Sequence, residues 1–392
     1  MVRLNASWLA LPLIGFVVVT LVVPIFSLAK LSVYDATVAD ALPKTTAALR
    51  SWTGPELPDA NTYAVVAAEL IELQENRELG RVASRVNRIA SGMRSTISKT
   101  PRRFRRSEEE RADLALIAID EKWGKPQIWY AFKQATQAFS SRNFLQAIDM
   151  RIAPDGSIER APEYQRVYVS LFLRTLLVAV AVTLLCLIIG YPMAYAMANS
   201  SPLWTRFLLV LVLIPFWTSL LVRTTSWIVL LQQQGVINDI LVFVGLIPDD
   251  ERLTLVHNMT GTLIAMTQVL LPFMILPLYS VMATIPRNLS LAASSLGANP
   301  FQSFIRVYLP NSLPGVAAGG LLVFILSIGY YITPALVGGS QGQLISNLIA
   351  YHLQSSLNWG LAAALSVLLL LGVFVLYVIY DRLIGIDRMK LG

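Results

Sequence analysis

The chain has 392 residues, is 55% hydrophobic and only 14% charged, and carries a formal net charge of +7. An average soluble domain carries about 25% charged residues, so the composition sets aside an ordinary soluble multidomain chain and points to the membrane. With one cysteine (Cys186) and two histidines (His257, His352), no disulfide framework and no metal cage can be built, and Cys186 reads as a buried small hydrophobe.

In chain order, the first apolar stretch is Trp8–Ala29. Its roughly 20 apolar residues exceed the usual 7–15 of a signal-peptide core, so a retained helix is expected. A cleavable signal is the rival, with Arg3 as its basic start and Ser27-Leu28-Ala29 as its small-residue site. Residues 31–165 then hold 19 of the 31 Lys+Arg and 18 of the 24 Asp+Glu, a nearly neutral insert in an apolar, mildly basic remainder. That balance requires no nucleic acid. Within the insert, Val65, Leu70, Leu73, Leu79, Val82, Val86, Ile89 and Met93 recur at helical spacing over 62–93. PRRFRRSEEER (101–111) leads into a helix expected over Ser107–Glu121, with Ser107 as N-cap and Glu110 completing a capping box. A further helix is expected over Ile128–Ala147, followed by a turn at Ala153–Gly156.

Five more stretches reach the roughly 20 apolar residues a span needs: Tyr168–Ala196, Trp204–Val222, Leu255–Ala283, Leu313–Ile332 and Trp359–Leu383. Pro192, Pro215, Pro272 and Pro277 interrupt them, as befits helices that bend around a pathway. With the N-terminus in the cytoplasm, Arg206, Arg287, Arg306, Arg382, Arg388 and Lys390 fall inside, which satisfies the positive-inside rule. Both termini are then cytoplasmic and the insert external.

Between two spans lies SLAASSLGANPFQSFIRVYLP (290–310). A small-faced helix is expected over Asn288–Leu296, capped by Asn288 or Ser290, with Gly297 left-handed at its end. Asn299 and Pro300 suit the start of a second short helix, with Phe301, Phe304 and Ile305 as its apolar face and Leu309-Pro310 as its stop. Ala292 and Ala293 would let this pair of helices approach another surface closely. Nucleotide-binding, zinc-protease and serine-hydrolase motifs are absent from the sequence, and the spans contain no carboxylate pair for a proton relay. Any energy for uphill movement must enter through another chain.

The loop resembles the signature loop of binding-protein-dependent ABC importer permeases, Glu-Ala-Ala, then Gly, then Ile-x-x-x-Leu-Pro. Ala292, Ala293, Gly297, Ile305, Leu309 and Pro310 match it, while Leu291 stands at the glutamate's place. SLFLRTLLVAVAVTLLCLIIGYPMAYAMA (170–198), IPFWTSLLVRT (214–224), LLPFMILPLYS (270–280) and VGGSQGQLISNLI (337–349) are similar to the permeases of spermidine/putrescine-type importers. The insert is much longer than that family's usual first external loop.

The resemblance implies an all-α membrane protein with six transmembrane helices in the type I ABC importer permease fold. Residues 1–30 would form the first span, 31–165 an external helical insert, 166–385 a five-helix core with a coupling loop at 285–312, and 386–392 a cytoplasmic tail. It also implies the partners: a second permease, homologous or identical, two cytoplasmic ATPases that carry ATP and Mg, an external solute-binding protein, and membrane lipid. The chain itself would be no enzyme and hold no cofactor. Leu291, Ala292, Ala293, Gly297, Ile305, Leu309 and Pro310 would couple to the ATPase. Phe216, Trp217, Arg223, Trp227, Tyr279, Tyr330 and Tyr331 are candidates for the translocation path, and interface belts or packing are their other reading. Aromatic faces suit a polyamine cation, but the spans offer no acid beside them, and Arg223 equally suits an anionic or zwitterionic solute. A membrane-anchored scaffold acting through the insert is the rival from another class.

Overall fold

The computed structural model describes residues 6–106, 111–153 and 157–384. They form two compact units, Met1–Arg166 with Asn358–Ala364, and Val167–Leu357 with Leu365–Gly392.

The first unit opens with the apolar helix Leu11–Val33, whose most apolar window has 0% of its residues buried. With that window uncovered by protein, such a helix is matched to lipid rather than to water. Helices Ala60–Glu75, Leu79–Asn87, Met93–Phe104 and Pro126–Ala135 then pack around one core, which buries Leu70, Leu73, Val82, Val86 and Met93 of the expected stripe. The stripe is not one helix: Arg77 at φ 61° lies just past the end of Ala60–Glu75, and Gly92 at φ 84° stands at the start of Met93–Phe104. Trp129 is the hub of the core, with ring centroids 4.5 Å from Tyr63 and 5.4 Å from Trp123. The polar edges are satisfied: the Tyr63 hydroxyl and the Trp129 indole both donate to the Trp123 carbonyl, at 2.8 and 2.9 Å. Two tryptophans in a dry core require such partners.

Three further expectations in the insert change. The Ile128–Ala147 helix divides into Pro126–Ala135 and Arg142–Ala147, because the chain between them pairs through Phe139 with Tyr34. The helix expected from Ser107 is Ala112–Ile119; Ser107, Glu110 and the turn residues 154–156 lie outside the described residues. The insert also carries a small hairpin, Met150–Ile152 antiparallel to Ile158–Arg160, braced by an Arg151–Glu159 ion pair of 2.6 Å. Glu69, a charged position within the same run, is buried and accepts the Lys44 and Thr45 N–H groups at 2.8 Å each. It thereby caps the Pro43–Ser51 helix, which has no capping side chain of its own.

In the second unit, helices Tyr168–Asn199, Met259–Met282 and Pro300–Gly329 pack on one another. Met259–Met282 is the central one, with 61% of its apolar window buried against 28% and 39% for its neighbours. Close approach is set by Gly319, where a Cβ would come within 3.0 Å of the Met274 carbonyl oxygen and 2.9 Å of its sulfur. Cys186 is buried here, as a small hydrophobe would be.

The stretch Trp204–Val222 is not one continuous helix. Pro202–Trp217 ends at extended Thr218, and the chain turns by 99° into Leu220–Phe243. Pro215 lacks the N–H that would bond the preceding turn, and at the break the Thr218 hydroxyl donates to the Pro215 carbonyl at 3.0 Å. The chain therefore holds five helices long and apolar enough to cross a membrane, or six with the bent pair as one, among the described residues.

Candidate functional site

The loop after the central helix is built from two capping motifs back to back. Helix Arg287–Ser295 starts at extended Pro286, one residue earlier than expected, and neither Asn288 nor Ser290 caps it. At its other end Gly297 stands at φ 86°. The Gly297 N–H donates to Ser294 O and the Ala298 N–H to Ala293 O, each at 3.0 Å, the paired bonds of a Schellman ending. Two residues on, Asn299 Oδ1 accepts the Gln302 N–H at 2.7 Å and Gln302 Oε1 accepts the Asn299 N–H at 3.2 Å, a complete capping box with Pro300 in the first turn. The corner from 295 to 302 is therefore fixed by hydrogen bonds on both sides.

Leu309-Pro310 does not stop the second helix. Pro300–Ser303 continues through a π-turn, Phe304–Tyr308, into Leu309–Gly329, so the loop is the first part of a 30-residue helix. Proline at 310 removes a bond and crowds the preceding turn, and the wider i→i+5 turn absorbs both effects. Within it, the Leu309 N–H donates to Phe304 O. Sequence reasoning missed what seats this turn. Tyr195 meets Tyr308 at 5.0 Å and Phe304 at 5.8 Å, both edge to face, while Tyr191 bonds Ser312 at 2.8 Å. The signal was present as two aromatic pairs at helical i, i+4 spacing, Tyr191/Tyr195 and Phe304/Tyr308.

Outward, the loop presents a row of unpartnered apolar side chains: Leu291 is 68%, Leu296 89% and Phe301 71% exposed, with Leu289 and Ile305 also open. Ala292 is exposed and Ala293 half-buried. A rigid corner with contiguous exposed hydrophobes is the mark of an interaction surface.

The seven candidate path residues divide. Phe216 packs edge to face on Phe273 at 5.2 Å, and Trp227 donates to Gln268 Oε1 at 3.1 Å, so both lean on the central helix. Tyr330 and Tyr331 occupy the break after Gly329, their carbonyls accepting from Ser346 and Asn347 at 2.8 Å each. Arg223 donates to the Thr218 carbonyl at 3.5 Å. Trp217 is 77% exposed, and Tyr279 is half-buried against the same core cluster as Tyr330.

None of the seven lines the cavity of about 550 Å³ between Tyr168–Asn199, Pro202–Trp217 and Met259–Met282. Its wall includes Pro192, Pro215 and Pro272, and its one polar side chain is Gln268. Because an indole only donates, Trp227 fixes the Gln268 oxygen toward itself and leaves the amide N–H groups for other acceptors. Gln268 was not singled out in the sequence; a lone amide in an apolar span was the available signal.

A family model described as "Binding-protein-dependent transport system inner membrane component" matches residues 187–384. The chain is 39% identical over 199 residues to the spermidine/putrescine transport system permease protein PotB of Haemophilus influenzae, covering 50% of this chain and 69% of that one. It is 34% identical over 215 residues to PotB of Escherichia coli K12, covering 55% and 78%. It is likewise 34% identical over 226 residues to the inner membrane ABC transporter permease protein YdcU of E. coli K12, covering 55% and 71%. A bacterial ABC transporter that imports the acidic polysaccharide alginate superposes with a TM-score of 0.46 and 17% identity, over 57% of this chain and 80% of that one. Members of this family work with a solute-binding protein and leave ATP hydrolysis to a separate subunit. The chain belongs to the family of binding-protein-dependent transport system inner membrane components and is a permease subunit of a type I ABC importer.

Proposed function

We propose that this permease carries a polyamine of the spermidine/putrescine class inward, together with a second permease, homologous or identical, and two ATPases. The similarity to polyamine permeases supports the substrate class. The observation that carries the mechanism is the loop at 285–312, hydrogen-bonded at its corner, continuous with a 30-residue helix and apolar on its outer face. Seated in an ATPase through Leu291, Leu296, Phe301 and Ile305, with Ala292 and Ala293 close to the contact, it works as a lever. Gly297 sets the corner's angle, and Leu309 and Pro310 lie where the lever joins its span. ATP-driven closure of the ATPases displaces the loop, and the Phe304–Tyr308 turn passes that displacement into the spans. The coupling is productive because the inward-open and outward-open states contact the ATPase differently. In this arrangement both termini are cytoplasmic and residues 31–165 external, facing the solute-binding protein.

For the path, a polyamine meets aromatic faces rather than carboxylates, since the described spans hold no acid pair. Phe216 and Trp227 supply cation–π faces beside Gln268, while Tyr330 and Tyr331 line the helix break. Arg223, at the start of its helix, stands off the cation's course. The test is uptake of labelled spermidine into proteoliposomes holding the complete complex. ATP- and binding-protein-dependent uptake supports the reading, and uptake of another solute class with none of spermidine refutes it.

A further inference from the structure

A second cavity, of about 360 Å³, lies in the first unit where two apolar helices end. Leu31 is two residues from the end of Leu11–Val33, and Trp359 is the first residue of Trp359–Arg382; both line it, with Tyr34, Asp40, Arg81 and Arg85. Leu31 and Trp359 are exposed, so the apolar rim of the cavity is open at the level where spans meet water.

The charge behind this rim is unbalanced. Arg85 pairs with Asp35 at 3.2 Å, and Arg88 and Arg142 approach the same carboxylate. Burial lowers the pKa of both Arg88 and Arg142, and the charge on Arg85 lowers each further. Lys30, held 5.0 Å over the Tyr34 ring, adds a cation at the same level. Arg81 pairs with Glu78 at 3.4 Å between exposed side chains, a pair that water and salt readily loosen. Two carboxylates, Asp35 and Asp40, share the lining with Arg81 and Arg85, and Asp40 is the exposed one.

We propose that this cavity holds the headgroup of a membrane phospholipid bearing a primary amine, with its phosphate on Arg81 and Arg85 and its ammonium on Asp40. Opposite charges lining one cavity, beside the ends of two spans, match a zwitterionic headgroup whose acyl chains run down the Leu11–Val33 helix. Guanidinium groups suit phosphate because they offer paired donors, and basic recesses at span ends are common headgroup seats. The bound lipid fastens the insert to the membrane surface and gives the exposed arginines an anionic partner. The proposal rests on the two helices being spans.

The test is native mass spectrometry of the full-length chain after delipidation and re-addition of phosphatidylethanolamine, phosphatidylcholine or soluble phosphoethanolamine. The expected result is a retained phosphatidylethanolamine adduct, weakened roughly tenfold in Arg81→Gln and in Asp40→Asn by loss of one charge-assisted contact. Arg81→Lys restores part of the binding. Phosphatidylcholine, which has no N–H to donate to Asp40, binds more weakly, and soluble phosphoethanolamine is not retained. Equal adducts in wild type and both variants overturn the site. Equal retention of the two lipids overturns the ammonium contact. Retention of soluble phosphoethanolamine overturns the lipid assignment.

Discussion

Replacing Gly297 by valine isolates one property of the loop. The residue stands at φ 86°, and a Cβ placed there has nothing within 4 Å, so the substitution creates no clash with neighbours. Its cost is the backbone conformation alone, about 1–3 kcal/mol for a non-glycine residue held there, with a β-branched side chain at the upper end. The two Schellman bonds contribute about 1 kcal/mol each, so relaxing the corner costs a similar amount to keeping it. Valine therefore tips the corner toward a changed angle between Arg287–Ser295 and the following helix, while asparagine, which tolerates this conformation, does so least. The assay is substrate-stimulated ATP hydrolysis by the reconstituted complex, with membrane insertion measured in parallel. Stimulation should fall in the order Gly, Asn, Ala, Val, with insertion unchanged. Equal stimulation in Gly297→Val and wild type would refute the claim that the corner's angle matters.

Four other outcomes are expected. Asp120 is half-buried, and its partial desolvation alone would raise its pKa, but hydrogen bonds from Thr96 (2.6 Å), Lys99 and the Lys122 N–H bring it down to about 2. Its folded pKa is thus below the ordinary 3.8, so about 2 kcal/mol of stability is present above pH 4 and is lost as pH falls toward 2; Asp120→Asn should flatten that window in acid unfolding followed by tryptophan fluorescence. Gly319→Val must push against the Met274 backbone, costing about 1–3 kcal/mol, read as a lower Tm of the detergent-solubilised chain. Leu291→Glu restores the glutamate of the family signature at a 68%-exposed position and should leave ATPase stimulation intact, whereas Ala293→Glu, at a half-buried one, should reduce it. Cysteines at exposed Ser95 and Ser294 in a Cys186→Ala background should label from opposite sides of the membrane.

What the sequence disclosed was mostly local. The apolar runs located the membrane helices because hydrophobic length is a property of one segment. Gly297, Asn299 and Pro300 announced the corner because capping chemistry is decided within four residues. The features that stayed hidden depend on distant partners or on competition between rules. Glu69 caps a helix 25 residues away, which no spacing rule reaches. Pro310 looked like a stop, yet a π-turn seated on Tyr195 lets the helix run through it. Pro215 read as a kink within one span, but the break at Thr218 turns the chain by 99°. The aromatic residues chosen for the path were conspicuous by type, whereas the cavity is lined by prolines, aliphatics and Gln268, which only the packing of three helices brings together.

The central claim is that the loop, and not the insert, touches the ATPase. A photo-cross-linker at Leu296, 89% exposed at the corner, tests it in the assembled complex, with the same probe at Ser95 as control. The account predicts an ATPase adduct from Leu296 whose yield changes when ATP is bound, and none from Ser95. No adduct from Leu296, or an ATPase adduct from Ser95, would contradict it.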